Sequence, residues 1–271
     1  HHVQKGLTVW DAADGRPLAQ LPGEFGDCHV LAFDPAGGTV VAAGPGRPGT
    51  VWDVGHPDGV VGVVGAFGHR SAAVSADARW VAQCGPRELS VWPVRPAADP
   101  PPPVPLVRFP RDTSRVGVSS GATPLAAVGG QTGDVQVFDV RTGREVYADK
   151  VRGAVTWLAV SDDGRRVAVQ CAGDGLVLLD TATRGRFVLW QKDGAAAARV
   201  AFAPGGRFVA AGLYDGTARV WDTADGRLAA VAETDDVVVR GVAVSPDLTR
   251  LATAGNRDQV RVWDVELDGR E

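Results

Sequence analysis

The sequence predicts an all-β protein built from seven copies of a repeat of about 42 residues. A strand-like string that ends in Trp-Asp or a close variant recurs at nearly constant spacing. A short turn between two apolar strands recurs in step with that string. The 35 glycines and 18 prolines make up about a fifth of the 271 residues, against ~12% in average proteins. Many tight turns between short strands would require this composition.

The Trp-Asp string marks one strand of each repeat. Its copies run from LTVWD, which ends at Asp11, to VRVWD, which ends at Asp264, with spacings of 40 to 46 residues. Six of the seven copies carry the aspartate. The structural positions before it are Trp10, Trp52, Trp92, Phe138, Leu179, Trp221 and Trp263. Self-similarity at this period indicates tandem copies of one supersecondary unit.

The second recurring feature is a polar turn between two apolar strands. The turns read DPAGG (34–38), SADA (75–78), SSGAT (119–123), SDDG (161–164), APGG (203–206) and SPDL (245–248). Short apolar runs on both sides are typical of strands that are buried on both faces. Gly-rich turns on either side of the Trp-Asp string complete four strands per repeat, which leaves little room for helices. The alanine run 195–198 therefore predicts a loop entering a strand.

These residues resemble the WD40-repeat family, and the resemblance covers essentially all of 1–271. It implies a β-propeller of four-stranded antiparallel blades around a central channel. The Gly-His half of the family signature is in phase only at Gly68 and His69. No repeat carries all four residues of the structural tetrad of the family. We therefore expect the blades to pack mainly through apolar contacts.

We expect a single domain over 1–271. Residues 1–27 would form a partial first blade with its third and fourth strands, and 28–271 would form six further repeats. The favoured arrangement is a seven-bladed propeller with a truncated first blade, and the missing initiator Met agrees with a fragment. The alternative is a six-bladed ring, in which a strand near 16–21 completes the last blade.

Composition excludes several classes of function. The formal net charge of −4 predicts no nucleic-acid partner, and no apolar run approaches the 18 residues of a membrane span. Cys28, Cys84 and Cys171 fit no metal or disulfide pattern, so we expect free buried thiols in a cytoplasmic protein. The excess of 25 arginines over 3 lysines suggests a GC-rich genome and a bacterial source.

No motif predicts catalysis. The string at 44–49 matches GxGxxG, but it links two strands, whereas a dinucleotide site needs a strand followed by a helix. His29, His56 and His69 lie in different repeats, and no nucleophile is spaced with a base. We expect no catalytic residue, no cofactor and no metal, and therefore no enzyme.

The resemblance also predicts a binding surface. In WD40-like propellers, the start of the first strand and the residue before the turn aspartate face the top surface, where partners usually dock. These positions hold Arg70, Arg115, Trp157, Arg199, Tyr214, Arg240 and Arg257. Arg, Trp and Tyr are enriched at interface hot spots. The hypothesis is a basic and aromatic top face that binds an acidic or phosphorylated protein or peptide.

The sequence leaves three functions open. The favoured one is a non-enzymatic scaffold for protein–protein interaction. The second is a ligand-binding or enzymatic propeller with a site at the channel mouth. The third is a regulatory or sensory domain of a larger protein, such as a bacterial WD40-bearing kinase. The proline run at 96–105 predicts either an extended insertion at the rim or a docking segment for an aromatic groove.

Overall fold

The computed structural model describes most of the chain. The described residues are 6–11, 14, 16–22, 30–33, 37–44, 47–55, 60–64, 71–85, 87–94, 104–108, 112–120, 123–191, 197–245, 247–255 and 260–265. Every regular element among them is a β-strand, so the all-β prediction is confirmed. The predictions that lie outside these residues include the roles of Arg70 and Arg257, the in-phase Gly68 and His69, the Cys28 thiol and most of the proline run.

No helix in the described part of the chain is long and apolar enough to cross a membrane.

The described strands form seven antiparallel sheets in chain order. Sheet 1 contains β1 (Gly6–Trp10) and β2 (Pro17–Pro22). Sheet 2 contains β3 (Val30–Phe33), β4 (Thr39–Gly44), β5 (Arg47–Asp53) and β6 (Val60–Val64). Sheet 3 contains β7 (Ser71–Val74), β8 (Trp80–Cys84), β9 (Glu88–Pro93) and β10 (Val104–Arg108). Sheet 4 contains β11 (Thr113–Val118), β12 (Leu125–Gly130), β13 (Asp134–Asp139) and β14 (Glu145–Lys150).

The last three sheets repeat this arrangement. Sheet 5 contains β15 (Val155–Val160), β16 (Arg166–Cys171), β17 (Gly175–Asp180) and β18 (Arg186–Trp190). Sheet 6 contains β19 (Ala197–Phe202), β20 (Phe208–Leu213), β21 (Thr217–Asp222) and β22 (Leu228–Glu233). Sheet 7 contains three described strands, β23 (Val239–Val244), β24 (Arg250–Gly255) and β25 (Val260–Asp264).

The second strands of sheets 3 to 6 are buried on both faces along nearly their whole length, as their continuous apolar runs predict. All six residues of β20 are buried. The Trp, Phe or Leu residue that precedes the last position of the Trp-Asp string keeps one register throughout sheets 2 to 7. It lies opposite the second residue of the second strand, as Trp221 does opposite Val209 and Leu179 opposite Val167. This shared register is the structural origin of the constant sequence spacing.

Successive sheets pack face to face, and the Trp-Asp residue packs on the preceding sheet. Trp52 of sheet 2 shares a cluster with Val9 and Leu21 of sheet 1. Trp221 of sheet 6 shares one with Leu176 of sheet 5. Trp10 is 59% exposed because no described sheet precedes sheet 1. Apolar clusters of this kind join each sheet to the next, from sheet 1 to sheet 7.

The pairing of β2 bears on the number of blades. The six-bladed alternative assigns this strand to the last blade. In the structure β2 pairs with β1, from Gly6 opposite Pro22 to Trp10 opposite Pro17. Closure of the sheets into a ring stays a prediction.

Candidate functional site

A β-bulge shapes the start of the first strand in sheets 4 to 7. In each of them the pairing with the second strand shifts by one residue directly after the first residue. The bulged residues are Ser114, Thr156, Ala198 and Arg240. Bulges re-aim the side chains around them. They therefore give Arg115, Trp157 and Arg199, which follow the bulges, equivalent places in three neighbouring sheets.

In each sheet, the turn between the second and third strands lies at the end where the first strand begins. Ala197, which begins β19, is opposite Leu213 at the end of β20, so Tyr214 follows directly at this edge. We define the top face by Ser114, Arg115, Thr156, Trp157, Ala198, Arg199, Tyr214 and Arg240. The bottom face carries the other two turns of each sheet, such as those at 161–164 and 223–227.

Arg115 bridges sheets 4 and 5 at the top face. Its Nε donates a hydrogen bond to the backbone oxygen of Thr156 over 2.6 Å. Its Nη1 donates to the backbone oxygen of Ser114 over 2.8 Å. The side chain is half-buried. The guanidinium is therefore held in one place at the junction between the two sheets.

Trp157 and Arg199 continue this row into sheet 6. The indole Nε1 of Trp157 donates to the backbone oxygen of Val200 over 3.1 Å. The guanidinium of Arg199 lies over the indole ring, 4.6 Å from its centroid. Burial lowers the pKa of Arg199. A cation–π contact of this kind contributes about 0.5–2 kcal/mol.

The other predicted site residues that the structure describes lie in sheets 6 and 7. Tyr214 of sheet 6 is 49% exposed, and Arg240 of sheet 7 is exposed. Arg70 and Arg257 lie outside the described residues. The structure therefore joins Arg115, Trp157 and Arg199, and places Tyr214 and Arg240 at the same edge.

A buried carboxylate near the top face has no counterpart among the sequence predictions. Asp174, in the turn before β17, is 3% exposed. It accepts hydrogen bonds from the backbone N–H of Arg152 over 2.9 Å and from the side chains of Arg152 and Arg186. Burial alone would raise the pKa of Asp174, but these bonds lower it to about 2. The carboxylate thus ties three segments of sheets 4 and 5 together.

Other carboxylates at this end are also paired with bases. Asp134 lies 3.4 Å from the ammonium of Lys150. Asp235 accepts a hydrogen bond from Arg261 over 2.8 Å. These pairs offset negative charge at the end of the sheets that carries Arg115, Arg199 and Arg240.

The aspartate of the Trp-Asp string has a structural role at the bottom face. Oδ1 of Asp139 accepts hydrogen bonds from the backbone N–H groups of Arg141 and Thr142, at 2.8 and 3.0 Å. Asp180 caps its turn in the same way and also pairs with Arg166. These bonds hold the turn into the fourth strand, as expected for aspartate in such turns.

Titratable groups elsewhere do not assemble into a metal site. Among the described residues, no group of three or more His, Cys, Asp or Glu side chains could hold a metal ion. Cys84 and Cys171 are buried free thiols. Burial raises the pKa of Cys171, so its thiol is protonated at neutral pH.

Comparisons with known proteins agree with this architecture. A family model described as "WD domain, G-beta repeat" matches residues 195–222 and 228–264. The second match runs from β22 of sheet 6 to β25 of sheet 7. The "Meiotic recombination protein rec14" of Schizosaccharomyces pombe is 28% identical over 135 residues, which are 49% of this chain and 45% of that protein. The chain thus spans less than half the length of this curated relative.

Proposed function

Because this chain belongs to the WD40-repeat family, we propose that it is a scaffold whose top face binds an acidic or phosphorylated segment of a partner protein. Proteins made of WD40 repeats are in general non-catalytic scaffolds for protein–protein interaction. The proposal of an acidic or phosphorylated partner rests on the row formed by Arg115, Trp157 and Arg199 across three sheets.

Charge supports an acidic partner. Guanidinium groups form strong, paired hydrogen bonds with carboxylates and phosphates. The neighbouring carboxylates of Asp174 and Asp235 are already paired with arginines. A phosphate or carboxylate that approaches the row therefore meets Arg115 and Arg199 with little competing negative charge from these two groups.

Preorganisation supports binding at this row. Arg115 is held by two hydrogen bonds to backbone oxygens, and Arg199 is stacked on Trp157. Side chains that are already ordered lose less entropy when a partner binds. The exposed ring of Tyr214 adds an apolar surface with a polar tip, a combination that is enriched at interfaces.

A reducing compartment such as the cytoplasm suits the buried thiols of Cys84 and Cys171.

Charge reversal at the top face tests the proposal. The variant Arg199→Glu with Arg240→Glu should lower partner recovery from a lysate at least tenfold, because it replaces two cations with anions. The matched control is Arg165→Glu with Arg227→Glu, two exposed arginines of the bottom face, and it should recover the partner normally. Phosphatase treatment of the lysate identifies a phosphorylated partner. Equal recovery by both variants would contradict the proposal.

A further inference from the structure

We propose that the segment bound at the top face is a polyproline II helix that carries a negatively charged residue at every third position. This inference rests on the proposed function, because it uses the same row of Arg115, Trp157 and Arg199. It goes further by giving the conformation of the partner segment and the spacing of its charges.

The first observation is where the two guanidinium groups are held. Arg115 belongs to sheet 4, but its Nε donates to the backbone oxygen of Thr156 in sheet 5 over 2.6 Å. Arg199 belongs to sheet 6, and its guanidinium lies 4.6 Å from the ring centroid of Trp157. The indole Nε1 of Trp157 in turn donates to the backbone oxygen of Val200 in sheet 6. One guanidinium is therefore anchored on sheet 5 and the other beside sheet 6.

The spacing of the sheets sets the distance between these two groups. Stacked sheets lie about 10 Å apart. The first strands β11, β15 and β19 approach one another closely, since Cα atoms of neighbouring first strands come within 8 Å. Two anionic groups that bind Arg115 and Arg199 together should therefore lie about 8–10 Å apart in the partner.

A segment that reaches both arginines crosses the ends of the strands. At the top face the first strand of each sheet begins and the second strand ends, as the pairs Val155–Cys171 and Ala197–Leu213 show. A segment that runs from one sheet to the next therefore cannot pair with a strand of this protein as an added β-strand. A polyproline II helix needs no such pairing, because its backbone groups are hydrogen-bonded to water.

The repeat of a polyproline II helix matches the required distance. It has three residues per turn, so residues i and i+3 lie on one face about 9 Å apart. Side chains on one face of a β-strand are about 7 Å apart after two residues and about 13 Å apart after four. An α-helix advances about 10 Å along one face only after seven residues. A preference for charges three residues apart is therefore specific to the polyproline II conformation.

An aromatic ring beside the row fits the prolines of such a helix. Tyr214 follows Leu213, which lies opposite Ala197 at the start of β19, and its ring is exposed. It lies on the outer side of the row, toward the third strand of sheet 6. Aromatic side chains are the usual contact surface for proline-rich segments. With the acidic face of the helix on the arginines, one of its two other faces turns toward Tyr214.

Order on both sides favours this mode of binding. Proline-rich segments already adopt the polyproline II conformation before they bind, so they lose little entropy. Arg115 is held by bonds to two backbone oxygens, and Arg199 is stacked on Trp157. The fixed spacing of the two guanidinium groups then selects a fixed spacing of charges in the partner.

Three fluorescein-labelled peptides test the spacing. The first, PPEPPEPP, has glutamates three residues apart on one face of the helix. The second, PPEPEPPP, has the same composition, but its glutamates are two residues apart and lie on different faces. The third is an alanine-rich helical peptide that contains EAAAQAAE, with glutamates seven residues apart. Fluorescence anisotropy at low salt should give a dissociation constant for the first peptide at least fivefold lower than for either of the others.

Variants locate the effect at the row. Arg115→Gln and Arg199→Gln should each weaken the first peptide at least fivefold. Each should also reduce its advantage over the second peptide to less than twofold, because a single guanidinium cannot select a spacing. Arg227→Gln, at an exposed position of the bottom face, should change neither value. Melting temperatures show whether the variants fold, and Arg199→Gln decides the matter if Arg115→Gln does not.

The outcomes separate this inference from the proposed function. Equal affinities for the three peptides, or tighter binding of the second or third, would overturn the polyproline II inference. The top-face function would still stand if Arg199→Gln weakened that binding. No saturable binding of any peptide, or binding that both arginine variants leave unchanged, would overturn the inference and count against the proposed function as well.

Discussion

Arginine side chains make different kinds of contact at different positions of this chain. Arg152 and Arg186 surround the buried carboxylate of Asp174. Arg199 lies over Trp157, and Arg219 of β21 lies over Trp190 of β18, 3.8 Å from its ring centroid. Both ring contacts join sheet 5 to sheet 6. Because the guanidinium group is planar and always charged, arginine can neutralise a carboxylate at one interface and stack on indoles at the next.

Asp174 should make stability depend on pH. Its pKa is lowered from 3.8 to about 2 in the folded protein. The carboxylate therefore stabilises the fold above pH 4, and this contribution is lost as the pH falls from about 4 to about 2. Asp174→Asn should reduce the free energy of unfolding by about 2 kcal/mol at pH 7. It should also flatten the pH dependence below pH 4, as measured by chemical denaturation.

The control for this prediction is Asp225→Asn. Asp225 is exposed and pairs with Arg227 at the bottom face, and an exposed pair contributes less than about 1 kcal/mol. A wild type and an Asp174→Asn variant with parallel pH profiles would contradict the role of the Asp174 carboxylate.

At the scale of the strands, the interfaces between sheets pair small residues with large ones. A Cβ built on Gly129 would lie 2.8 Å from the Cβ of Val155 in the next sheet. A Cβ built on Gly212 of sheet 6 would lie 2.8 Å from Cγ1 of Val239 in sheet 7. Sheet 5 has Gln170 at the glycine position, opposite Trp157, and β19 begins with alanine instead of valine. The large side chain thus lies on the second strand of sheet 5 and the small one at the start of sheet 6.

This reversal predicts a coupling between Gln170 and Ala197. Ala197→Val alone should cost about 1–3 kcal/mol because the interface becomes overpacked. Gln170→Gly alone should cost a similar amount because it leaves a cavity. The double variant should recover at least ~1 kcal/mol of the summed loss. Equilibrium unfolding measures the three free energies.

The matched control lies in sheet 6. Gly212→Gln should be more destabilising than either single change, because Val239 occupies the space. Strictly additive effects of Gln170→Gly and Ala197→Val would contradict the packing argument. A further group at this interface is the side-chain oxygen of Gln170, which is buried and has no hydrogen-bond partner.

At the scale of the whole molecule, seven sheets follow one another along the chain and share one packing rule. The sequence predicts this succession because the Trp-Asp residue returns to the same register, from Trp52 opposite Val40 to Trp263 opposite Leu251. The all-β class and the third-strand positions were therefore predictable. The spacing of the Trp-Asp string and the residues of the turns are visible within each repeat, so no contact between repeats is needed to predict them.

Contacts between repeats were less predictable. The alignment of first strands places Arg115, Trp157 and Arg199 in one column, but it does not predict that Arg199 stacks on Trp157. The bonds of Arg152 and Arg186 to Asp174 join residues 22 and 12 positions apart. They depend on how loops of neighbouring sheets meet, and no periodic pattern encodes that.

Site-specific photo-crosslinking tests the central claim most directly. A photo-crosslinking amino acid in place of Tyr214 probes the top face. The same residue in place of Leu228, which is 49% exposed at the start of β22, probes the other end of sheet 6. The account predicts a discrete partner adduct from position 214, lost in the Arg199→Glu background, and none from position 228. Adducts from position 228 alone, or an adduct at 214 that survives Arg199→Glu, would contradict it.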